Sequence, residues 1–494
     1  MTNNPMIQTS IASTVFRMRD QEAFAGFSGD FNPIHLTMTA ARRTQAGAPA
    51  VYGMLQVLWG LDHLPQIPPG MRIAGLLARF QSFLLVDEEA HLSLSGCEEG
   101  EIRLSIAVRG SVCTNLTIKL VRGEQDVFEQ DLSISSDAPE SRSCRICTFD
   151  DVENAFGELP VMFSAQDPRL LFPSATARIG ATRVTAIAAL SRLIGMICPG
   201  LHSLFRSMDI RIVPERSFRL VYSASTSDRR FSFLRQKVQG GGIEGSIDAF
   251  LRVPQTTQPT VAYIRQFVAA DEFSGTTALV VGASRGLGEF TAKAIGAGGG
   301  RVIASYRIGR EECDKVADEI RACGGTCDSL SYDVLKPAAH QLEAMPALPT
   351  SVYYFATTKI FSRQSELYDA AQFREFGEVY LSGFFNLCAH LRTLGVQKLA
   401  IFYPSTIAVE TRPADMGVYA MAKSAGEVLC DEIAKQWPEF RVIVRRLPRL
   451  LTDQTATVLS VESSPVEEVL LPIIRDVESV RTRGEMPFTA EARA

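Results

Sequence analysis

A short apolar run, a glycine-rich loop and a helical pattern follow one another in the C-terminal part of this chain. The apolar run covers residues 277–281, and the loop after it contains Gly282, Gly286 and Gly288. A glycine loop between a strand and a helix turns its backbone amides towards a pyrophosphate at the helix N-terminus. This order predicts the strand–loop–helix unit of a dinucleotide-binding α/β domain.

The glycine spacing resembles that of the short-chain dehydrogenase/reductase family, and the resemblance runs from Ser274 to about Val480. It implies an α/β Rossmann fold with a doubly wound parallel sheet. It also implies adenine contacts from Asp333 and Val334 and a carboxamide contact from Thr452. Six loop residues are implied to bind the cofactor: Gly282, Ser284, Arg285, Gly286, Leu287 and Gly288.

The end of the second predicted strand bears on the choice of cofactor. Residues 301–305 form an apolar run that Arg307 and Arg310 follow, whereas an NAD enzyme places an acid near this point for the ribose hydroxyls. A guanidinium suits a 2′-phosphate, so we expect NADP(H), with Arg307 as the contact and Arg310 in reserve. The alternative is that either arginine simply lies in solvent.

A Tyr-x-x-x-Lys motif, Tyr419 to Lys423, places a phenol and an ammonium one helical turn apart on one face. The ammonium lowers the pKa of the phenol, so that the tyrosine exchanges a proton with an alcohol or carbonyl oxygen while hydride moves. The partner hydroxyl is either Ser405, which residue chemistry favours, or Thr406, which the usual family spacing favours.

Two departures from the family pattern affect the proton relay. Phe355-Ala356-Thr357-Thr358 stands where the family has Asn-Asn-Ala-Gly. Tyr380 stands where the family's Val-Asn-x-x-Gly motif has the asparagine of the catalytic tetrad. Either the enzyme works with a triad, or the domain binds NADP(H) without productive turnover.

A second site is predicted near the N-terminus, in the segment from Phe27 to His35. Asp30 and His35 are the acid and imidazole needed to hold and activate a water, and Pro33 favours a turn between them. An Asx-turn followed by a solvated histidine is the simpler interpretation. The segment closely resembles the Gly-Asp-x-Asn-Pro-aliphatic-His signature of MaoC-like, or type 2, enoyl-thioester hydratases. In that family Asn32 is implied to orient the reacting groups.

The hydratase resemblance implies the hotdog fold, in which a curled antiparallel sheet wraps one long buried helix. An apolar helix-length run at 50–61 and alternating segments between 75 and 121 fit it. The family reads His-Gly-Met where this chain has Tyr52-Gly53-Met54. The Gly53 amide, at a helix N-terminus, is implied to bind the thioester carbonyl oxygen.

The following segment, 151–268, repeats the plan with an apolar helix pattern at 186–196 and four strand-like runs after it. It contains His202 as its only histidine, so it lacks a second Asp-x-Asn-x-x-His loop. We therefore expect an α+β double hotdog, although an unrelated α+β domain fits the same pattern. The predicted domains are 1–134, 150–268 and 274–494, with 134–150 and 254–274 as linkers.

Composition excludes other classes. In 494 residues with a net charge of −5 there is no basic block for nucleic acid and no apolar run long enough for a membrane. The first ten residues lack a signal-peptide pattern, and ten scattered cysteines indicate reduced thiols, so a cytoplasmic protein is expected. Cys144 and Cys147 form a lone C-x-x-C, and no metal site is predicted.

The two predicted sites share one chemical species, the 3-hydroxyacyl thioester. The chain is therefore expected to be bifunctional, as an NADPH-dependent 3-oxoacyl-thioester reductase and an (R)-3-hydroxyacyl-thioester dehydratase or 2-enoyl hydratase. One alternative is a reductase whose hotdog part only binds an acyl thioester. Another is a hydratase with a non-catalytic NADP-binding domain. Coenzyme A and acyl carrier protein both remain open as carriers, as do chain length and direction, and a homo-oligomer is expected.

Overall fold

The computed structural model describes residues 9–98, 100–124, 142–161, 166–214, 217–252, 254, 257–360, 367–413, 416–453 and 464–482. These residues divide into two compact units, a first unit within residues 9–254 and a second unit within residues 257–482. Residues 134–141 of the predicted linker lie outside the described residues.

Ten strands of the first unit form one antiparallel sheet, so the two predicted N-terminal domains share a sheet. Their bounds are β1 (Thr9–Val15), β2 (Met71–Phe80), β3 (Glu89–Glu98), β4 (Glu101–Val108), β5 (Ser111–Arg122), β6 (Phe156–Pro160), β7 (Ser203–Ile212), β8 (Arg219–Asp228), β9 (Phe233–Gly240) and β10 (Ile243–Leu251).

The order of the sheet is an internal repeat. From one edge it runs β1-β3-β4-β5-β2, and from the other edge β6-β8-β9-β10-β7. Each half thus has the same order of its own five strands, and β2 pairs antiparallel with β7 where the halves meet. Alternation of buried and exposed residues, clearest along β9, explains why these runs form a one-sided sheet.

Helices of the first unit lie mainly between the first and second strand of each half. Their bounds are α1 (Met18–Ser28), α2 (Pro33–Leu36), α3 (Met38–Ala41), α4 (Gly53–Asp62), α5 (Phe149–Glu153), α6 (Pro168–Leu171), α7 (Pro173–Ile179) and α8 (Ala181–Arg192). Eight of ten residues of α4 and ten of twelve of α8 are buried, as expected for helices apolar nearly all round. A π-helical turn, Leu193–Ile197, continues α8.

The second unit contains a parallel six-stranded sheet, which confirms the predicted α/β class. Its strands are β11 (Thr277–Val281), β12 (Arg301–Tyr306), β13 (Thr326–Ser331), β14 (Ser351–Tyr354), β15 (Leu399–Thr406) and β16 (Phe440–Leu447). The order β13-β12-β11-β14-β15-β16 reverses direction between β11 and β14. Ligands of such sheets bind at the carboxyl ends of the strands beside this reversal.

The helices of the second unit cover this sheet. They are α9 (Val261–Ile264), α10 (Gly286–Ala297), α11 (Arg310–Ala322), α12 (Ala338–Leu342), α13 (Ala370–Gly377), α14 (Phe384–Thr393), α15 (Ala408–Thr411), α16 (Gly417–Gln436) and α17 (Val466–Thr482). A π-helical turn, Glu378–Gly383, joins α13 to α14.

The segment 257–268, which sequence analysis assigned to the second N-terminal domain, packs in the second unit instead. Val261 and Ile264 are fully buried in the same apolar cluster as α10 and α17. This segment packs because burial of the apolar Val261 and Ile264 side chains is favourable, whereas a solvated linker would leave their surface in water.

Among the described residues, no single helix is both long and apolar enough to cross a bilayer, and one bent pair, Pro173–Ile179 with Ala181–Ile197, passes by length and composition. All ten cysteines are free thiols.

Candidate active sites

The loop that carries Asp30 is shaped by its own side chains. Helix α1 ends where Gly29 adopts a left-handed conformation with φ of 74°. The Asn32 backbone amide donates to Oδ1 of Asp30 over 3.0 Å, and Oδ1 of Asn32 accepts from the Ile34 amide over 3.2 Å. Asn32 thereby caps α2, whose first residue is Pro33. The loop conformation is therefore encoded locally.

The carboxyl group of Asp30 is almost completely buried. Burial raises its pKa to about 7, against the lowering effects of a hydrogen bond from Ser191, the Asn32 amide and the charge of Arg192. The Ser191 hydroxyl donates to Oδ2 over 2.7 Å. Near neutral pH the group is thus populated in both its protonated and ionised forms, as a reversible proton donor requires.

The imidazole of His35 has a defined tautomer. Its Nδ1 lies 2.7 Å from the Ala50 carbonyl oxygen, which only accepts, so Nδ1 carries the proton and Nε2 has a free lone pair. Burial lowers the pKa of His35 to about 4; the Ala50 contact opposes this shift and the positive charge of Arg252 adds to it. At neutral pH His35 is therefore an uncharged base.

Tyr52 holds both groups of this pair. Its hydroxyl donates to the Asp30 carbonyl oxygen over 2.6 Å, and its ring stacks on His35 with centroids 3.9 Å apart. The residue that departs from the His-Gly-Met pattern is thus a fully buried support of the loop.

Gly53 begins α4, where the first-turn amides have no acceptor within the helix. A Cβ atom at this position would lie 2.9 Å from the Phe80 ring, so a side chain is excluded here. The backbone amide predicted as an oxyanion donor therefore lies at a helix N-terminus, at a residue that the Phe80 side chain approaches closely.

The second half of the sheet contributes to this site through residues that sequence reasoning missed. Asn32 donates through Nδ2 to the carbonyl oxygen of Gly195 over 2.9 Å, and Ser191 binds Asp30. Both partners lie in or just before the π-helical turn that follows α8. An isolated glycine in an apolar helical run, Gly195, was the available signal, because such a glycine often marks a close approach.

The second half keeps the shape of the loop without its chemistry. Asp167 caps α6 by accepting from the Arg169 amide over 2.9 Å, and Pro168 starts the helix, as Asn32 and Pro33 do in α2. The residue at the register of His35 is Leu170, which is 83% exposed. One half of the first unit therefore carries the acid–base pair.

In the second unit, the glycine loop joins β11 to α10 as predicted. Gly282 and Gly286 have positive φ, and a Cβ at Gly288 would lie 2.2 Å from the Gly282 carbonyl oxygen. Ser284 is buried, and Leu287 packs against the core. These residues form the tight turn that lets backbone amides approach a pyrophosphate, so the loop fits a dinucleotide.

The other predicted cofactor residues lie at the carboxyl ends of strands. Arg307 is exposed just after β12, and Asp333 and Val334 follow β13. The side chain of Thr452 lies beside Gly286, within 4.0 Å of where a Cβ would be. Arg285 occupies the N-cap position of α10, and its guanidinium lies near Asp453, with 3.4 Å between Nη1 and Oδ2. The side chain of Arg285 therefore contacts protein.

The two candidate hydroxyls at the end of β15 point to different partners. Thr406 forms a hydrogen bond with Tyr419 that lowers the phenol pKa, whereas burial raises it more strongly. Ser405 instead donates to buried Glu427 over 2.5 Å, and Glu427 also binds Arg446. Thr406 is thus the hydroxyl beside Tyr419, and Ser405 belongs to a neighbouring ion pair.

Lys423 is buried one turn after Tyr419 on α16. Its Nζ donates to the Pro404 carbonyl oxygen over 2.7 Å and lies 4.0 Å from the Tyr380 ring centroid. Burial lowers its pKa to about 7. The Tyr380 hydroxyl is 2.7 Å from that of Thr357, so the two departures from the family pattern contact each other.

No group of three or more His, Cys, Asp or Glu side chains in the described ranges is arranged to hold a metal ion.

Residues 276–460 match the family model described as short chain dehydrogenase. This range starts immediately before β11 and extends past β16, so it includes all six strands of the parallel sheet. The C-terminal unit therefore carries a short-chain dehydrogenase/reductase domain.

Versicolorin reductase stcU of Emericella nidulans is 43% identical over 65 residues, which are 13% of this chain and 25% of that protein. Stretches matched in the curated relatives span between 25% and 45% of their lengths. Gluconate 5-dehydrogenase from Burkholderia cenocepacia, in complex with NADP and tartrate, is 18% identical with a TM-score of 0.39, over 43% of this chain and 93% of its own. A 3-oxoacyl (acyl-carrier-protein) reductase from Agrobacterium tumefaciens with NADP bound is 22% identical, with a TM-score of 0.33. The match covers 37% of this chain and 73% of that protein.

Proposed function

We propose that this chain is a bifunctional enzyme of acyl-thioester metabolism. Its second unit reduces a 3-oxoacyl thioester to the 3-hydroxyacyl thioester with NADPH, and its first unit dehydrates that product to the 2-enoyl thioester or catalyses the reverse hydration. The observation that carries the proposal is the arrangement of Asp30 and His35 on one loop, where Tyr52 binds the Asp30 carbonyl oxygen and stacks on the His35 ring. Burial raises the pKa of Asp30 to about 7 and lowers that of His35 to about 4, which suits an acid and a neutral base.

The first unit is proposed to be a double hotdog. Support comes from the repeated strand order of its two halves, each with a buried helix, α4 or α8, between its first and second strand. The hydratase signature and the helix N-terminus at Gly53 fall within the first half.

In the dehydration, Nε2 of His35 removes the C2 proton, and the protonated carboxyl of Asp30 donates its proton to the C3 hydroxyl. The C2–H and C3–O bonds break, the C2=C3 double bond forms, and water leaves. Charge that develops on the thioester oxygen is stabilised by the Gly53 amide and the positive end of α4. Asn32 and Tyr52 keep the loop in place. Hydratases of this resemblance imply the (R)-3-hydroxy hand.

In the reduction, the glycine loop with Gly282, Gly286 and Gly288 would hold NADPH together with Arg307, and the cofactor would supply the hydride for the ketone carbon. Tyr419 donates its phenolic proton to the carbonyl oxygen, so that the ketone becomes a secondary alcohol. Thr406 hydrogen-bonds Tyr419 and orients the oxygen. The Nζ of Lys423 lies 6.0 Å from the Tyr419 ring centroid, and its charge would favour the phenolate that remains. The proton transfer thus needs only residues that already surround Tyr419.

NADP(H) is proposed over NAD(H) because of Arg307. It is exposed at the end of β12, where the adenosine ribose of a bound dinucleotide would lie, and a guanidinium binds a 2′-phosphate in a bidentate way. A coenzyme A or acyl carrier protein thioester is the proposed substrate. A homo-oligomer is also proposed, since Phe385, Met421 and Val428 on α14 and α16 are exposed apolar residues.

The test gives purified protein crotonyl-CoA alone, and separately acetoacetyl-CoA with NADPH, with the enoyl-thioester and nicotinamide absorbances followed independently. We expect loss of the enoyl signal in the first assay and NADPH oxidation in the second. Asp30→Asn should abolish hydration and spare reduction, and Tyr419→Phe should do the converse. The same assays are repeated with acyl carrier protein thioesters.

Two results would replace the proposal. NADPH oxidation without hydration on either carrier would leave the first unit as an acyl-thioester binding module. Hydration without NADPH oxidation on either carrier would make the second unit a non-catalytic NADP-binding domain.

A further inference from the structure

A hydroxyl from the half that lacks the catalytic loop touches the catalytic carboxyl group. Ser191 lies in the last turn of α8, is buried, and donates to Oδ2 of Asp30 over 2.7 Å. The other oxygen of Asp30 accepts from the Asn32 amide within the loop. Each half of the first unit therefore holds a different carboxyl oxygen of Asp30, the first half through the Asn32 amide and the second half through the Ser191 hydroxyl.

We propose that Ser191 is a positioning residue of the dehydratase site, and that the second half of the sheet is a working part of this site through Ser191 and Gly195. The inference rests on the proposed dehydratase function. It assigns to the second half a role that the absence of its own Asp-x-Asn-x-x-His loop would not suggest.

The backbone around Ser191 is shaped to receive Asp30. A Cβ at Gly195 would lie 2.5 Å from Oδ1 and 2.6 Å from Oδ2, closer than any side chain tolerates. The carbonyl oxygen of the same glycine accepts from Nδ2 of Asn32. The π-helical turn that contains Gly195 thus leaves space for the carboxyl group and also binds its neighbour on the loop.

Further contacts join the same two segments. Nδ2 of Asn32 lies 3.4 Å from the carbonyl oxygens of both Gly200 and Leu201, and the Phe31 amide donates to Sδ of Met196 over 3.1 Å. Contacts at three consecutive loop positions, Asp30, Phe31 and Asn32, make the end of α8 and the turn after it a continuous support for the loop.

The chemical effect of Ser191 follows from its donor role. A hydroxyl that donates to a carboxylate stabilises the ionised form, and so opposes the burial that favours the protonated form. Without it, Asp30 should hold its proton to higher pH and be regenerated more slowly after each turnover. The side chain should also lose its fixed rotamer, because one of its two anchors is gone.

The experiment measures kcat/KM for crotonyl-CoA hydration between pH 5 and 9 in the full chain, since this parameter reports the titration of the free enzyme. Ser191→Ala is expected to lower kcat/KM at pH 7 by about 10- to 100-fold and to move the limb that Asp30 controls up by about one pH unit. Ser191→Thr keeps the hydroxyl and should restore the position of the limb.

The matched control is Thr185→Ala, which removes a buried hydroxyl from the same helix. That hydroxyl donates to the Ala181 carbonyl oxygen over 2.9 Å, within α8 itself. Its loss should leave the pH profile unchanged. An unchanged profile in Ser191→Ala, or an equal shift in Thr185→Ala, would overturn the inference.

A second readout does not depend on turnover. The infrared carboxyl band that disappears in Asp30→Asn gives the titration of Asp30 directly, and Ser191→Ala should shift it to higher pH. A wild-type protein that hydrates no thioester would overturn the dehydratase function. An Asp30 titration that is the same in the wild type and in Ser191→Ala would overturn the inference alone.

Discussion

The ammonium group of Lys423 lies 4.0 Å from the centre of the Tyr380 ring, against the face of the aromatic system. The family resemblance places an asparagine at position 380, a side chain that would offer polar atoms instead of a ring face. Burial lowers the pKa of this lysine to about 7, and the Tyr380 ring is one of the groups packed around it. The residue at position 380 therefore forms part of the buried surroundings that set the charge of Lys423.

Replacement of the ring should widen the pH range of the reductase. In the wild type, Lys423 is charged below about pH 7 and loses its charge above it, so we expect NADPH-dependent reduction to fall as the pH rises through 7. Tyr380→Asn admits water and should raise the pKa of Lys423, which moves this fall upward by about one pH unit or more. Initial rates from pH 6 to 10 measure it.

Tyr380→Phe is the control, because it keeps the ring face and removes only the hydroxyl that contacts Thr357. Its pH profile should match that of the wild type. A profile that shifts equally in both variants would assign the effect to the hydroxyl.

Thr406→Ala should impair reduction far more than Ser405→Ala. Thr406 hydrogen-bonds the Tyr419 phenol, and its loss is expected to lower kcat by about 100-fold, as for other groups that take part in proton transfer. Ser405 binds Glu427, so Ser405→Ala should lower thermal stability and leave most of the reductase activity. Steady-state kinetics and thermal unfolding of both variants decide, and equal kinetic losses would contradict the assignment.

Asp30→Asn should stabilise the first unit at alkaline pH. The folded pKa of Asp30 is raised from 3.8 to about 7, so the folded state holds this proton more tightly than the unfolded state. Stability is therefore lost as the pH rises from about 4 to 7, by on the order of 4 kcal/mol. The neutral amide removes this loss. Urea unfolding, followed by Trp59 fluorescence in a Trp437→Phe background, should show the variant more stable at pH 8 and not at pH 4.

Gly195→Ala should abolish hydration even though alanine favours helices. The new methyl group would meet both carboxyl oxygens of Asp30, and we expect a loss of about 100-fold or more in kcat/KM together with about 1–3 kcal/mol of stability. Gly26→Ala on α1 is the matched control, since the nearest atom there is 3.7 Å away. It should be neutral or slightly stabilising, and reduced hydration in that variant alone would contradict the prediction.

Arg307→Ala should weaken NADPH binding selectively. Loss of the 2′-phosphate contact is expected to raise the KM for NADPH by about 10- to 100-fold and leave the KM for NADH unchanged. Arg310→Ala serves as comparison, because Arg310 lies near Asp314, with 3.6 Å between Nε and Oδ2. Equal effects on both cofactors would place Arg307 outside the ribose site.

Local features were readable from the sequence because neighbouring residues produce them. The glycine loop needs Gly282, Gly286 and Gly288 for positive φ or close packing, and the Asp30 loop is built from Asn32 and Pro33 within a few residues. The alternating strands and the two apolar helices were likewise visible as periodicity. These parts of the fold and of the candidate sites follow from short-range chemistry.

Long-range placement was decided only by the tertiary structure. Ser191 is 161 positions from Asp30, and nothing in the surrounding helix pattern distinguishes its hydroxyl from that of Thr185. Tyr380 was recognised as a departure, but only packing puts its ring against Lys423. The choice of Thr406 over Ser405 also depends on which way two adjacent strand residues face, and in a strand neighbouring side chains point to opposite sides. Sequence determined the local chemistry of each site, and the packing of distant segments determined its electrostatic surroundings.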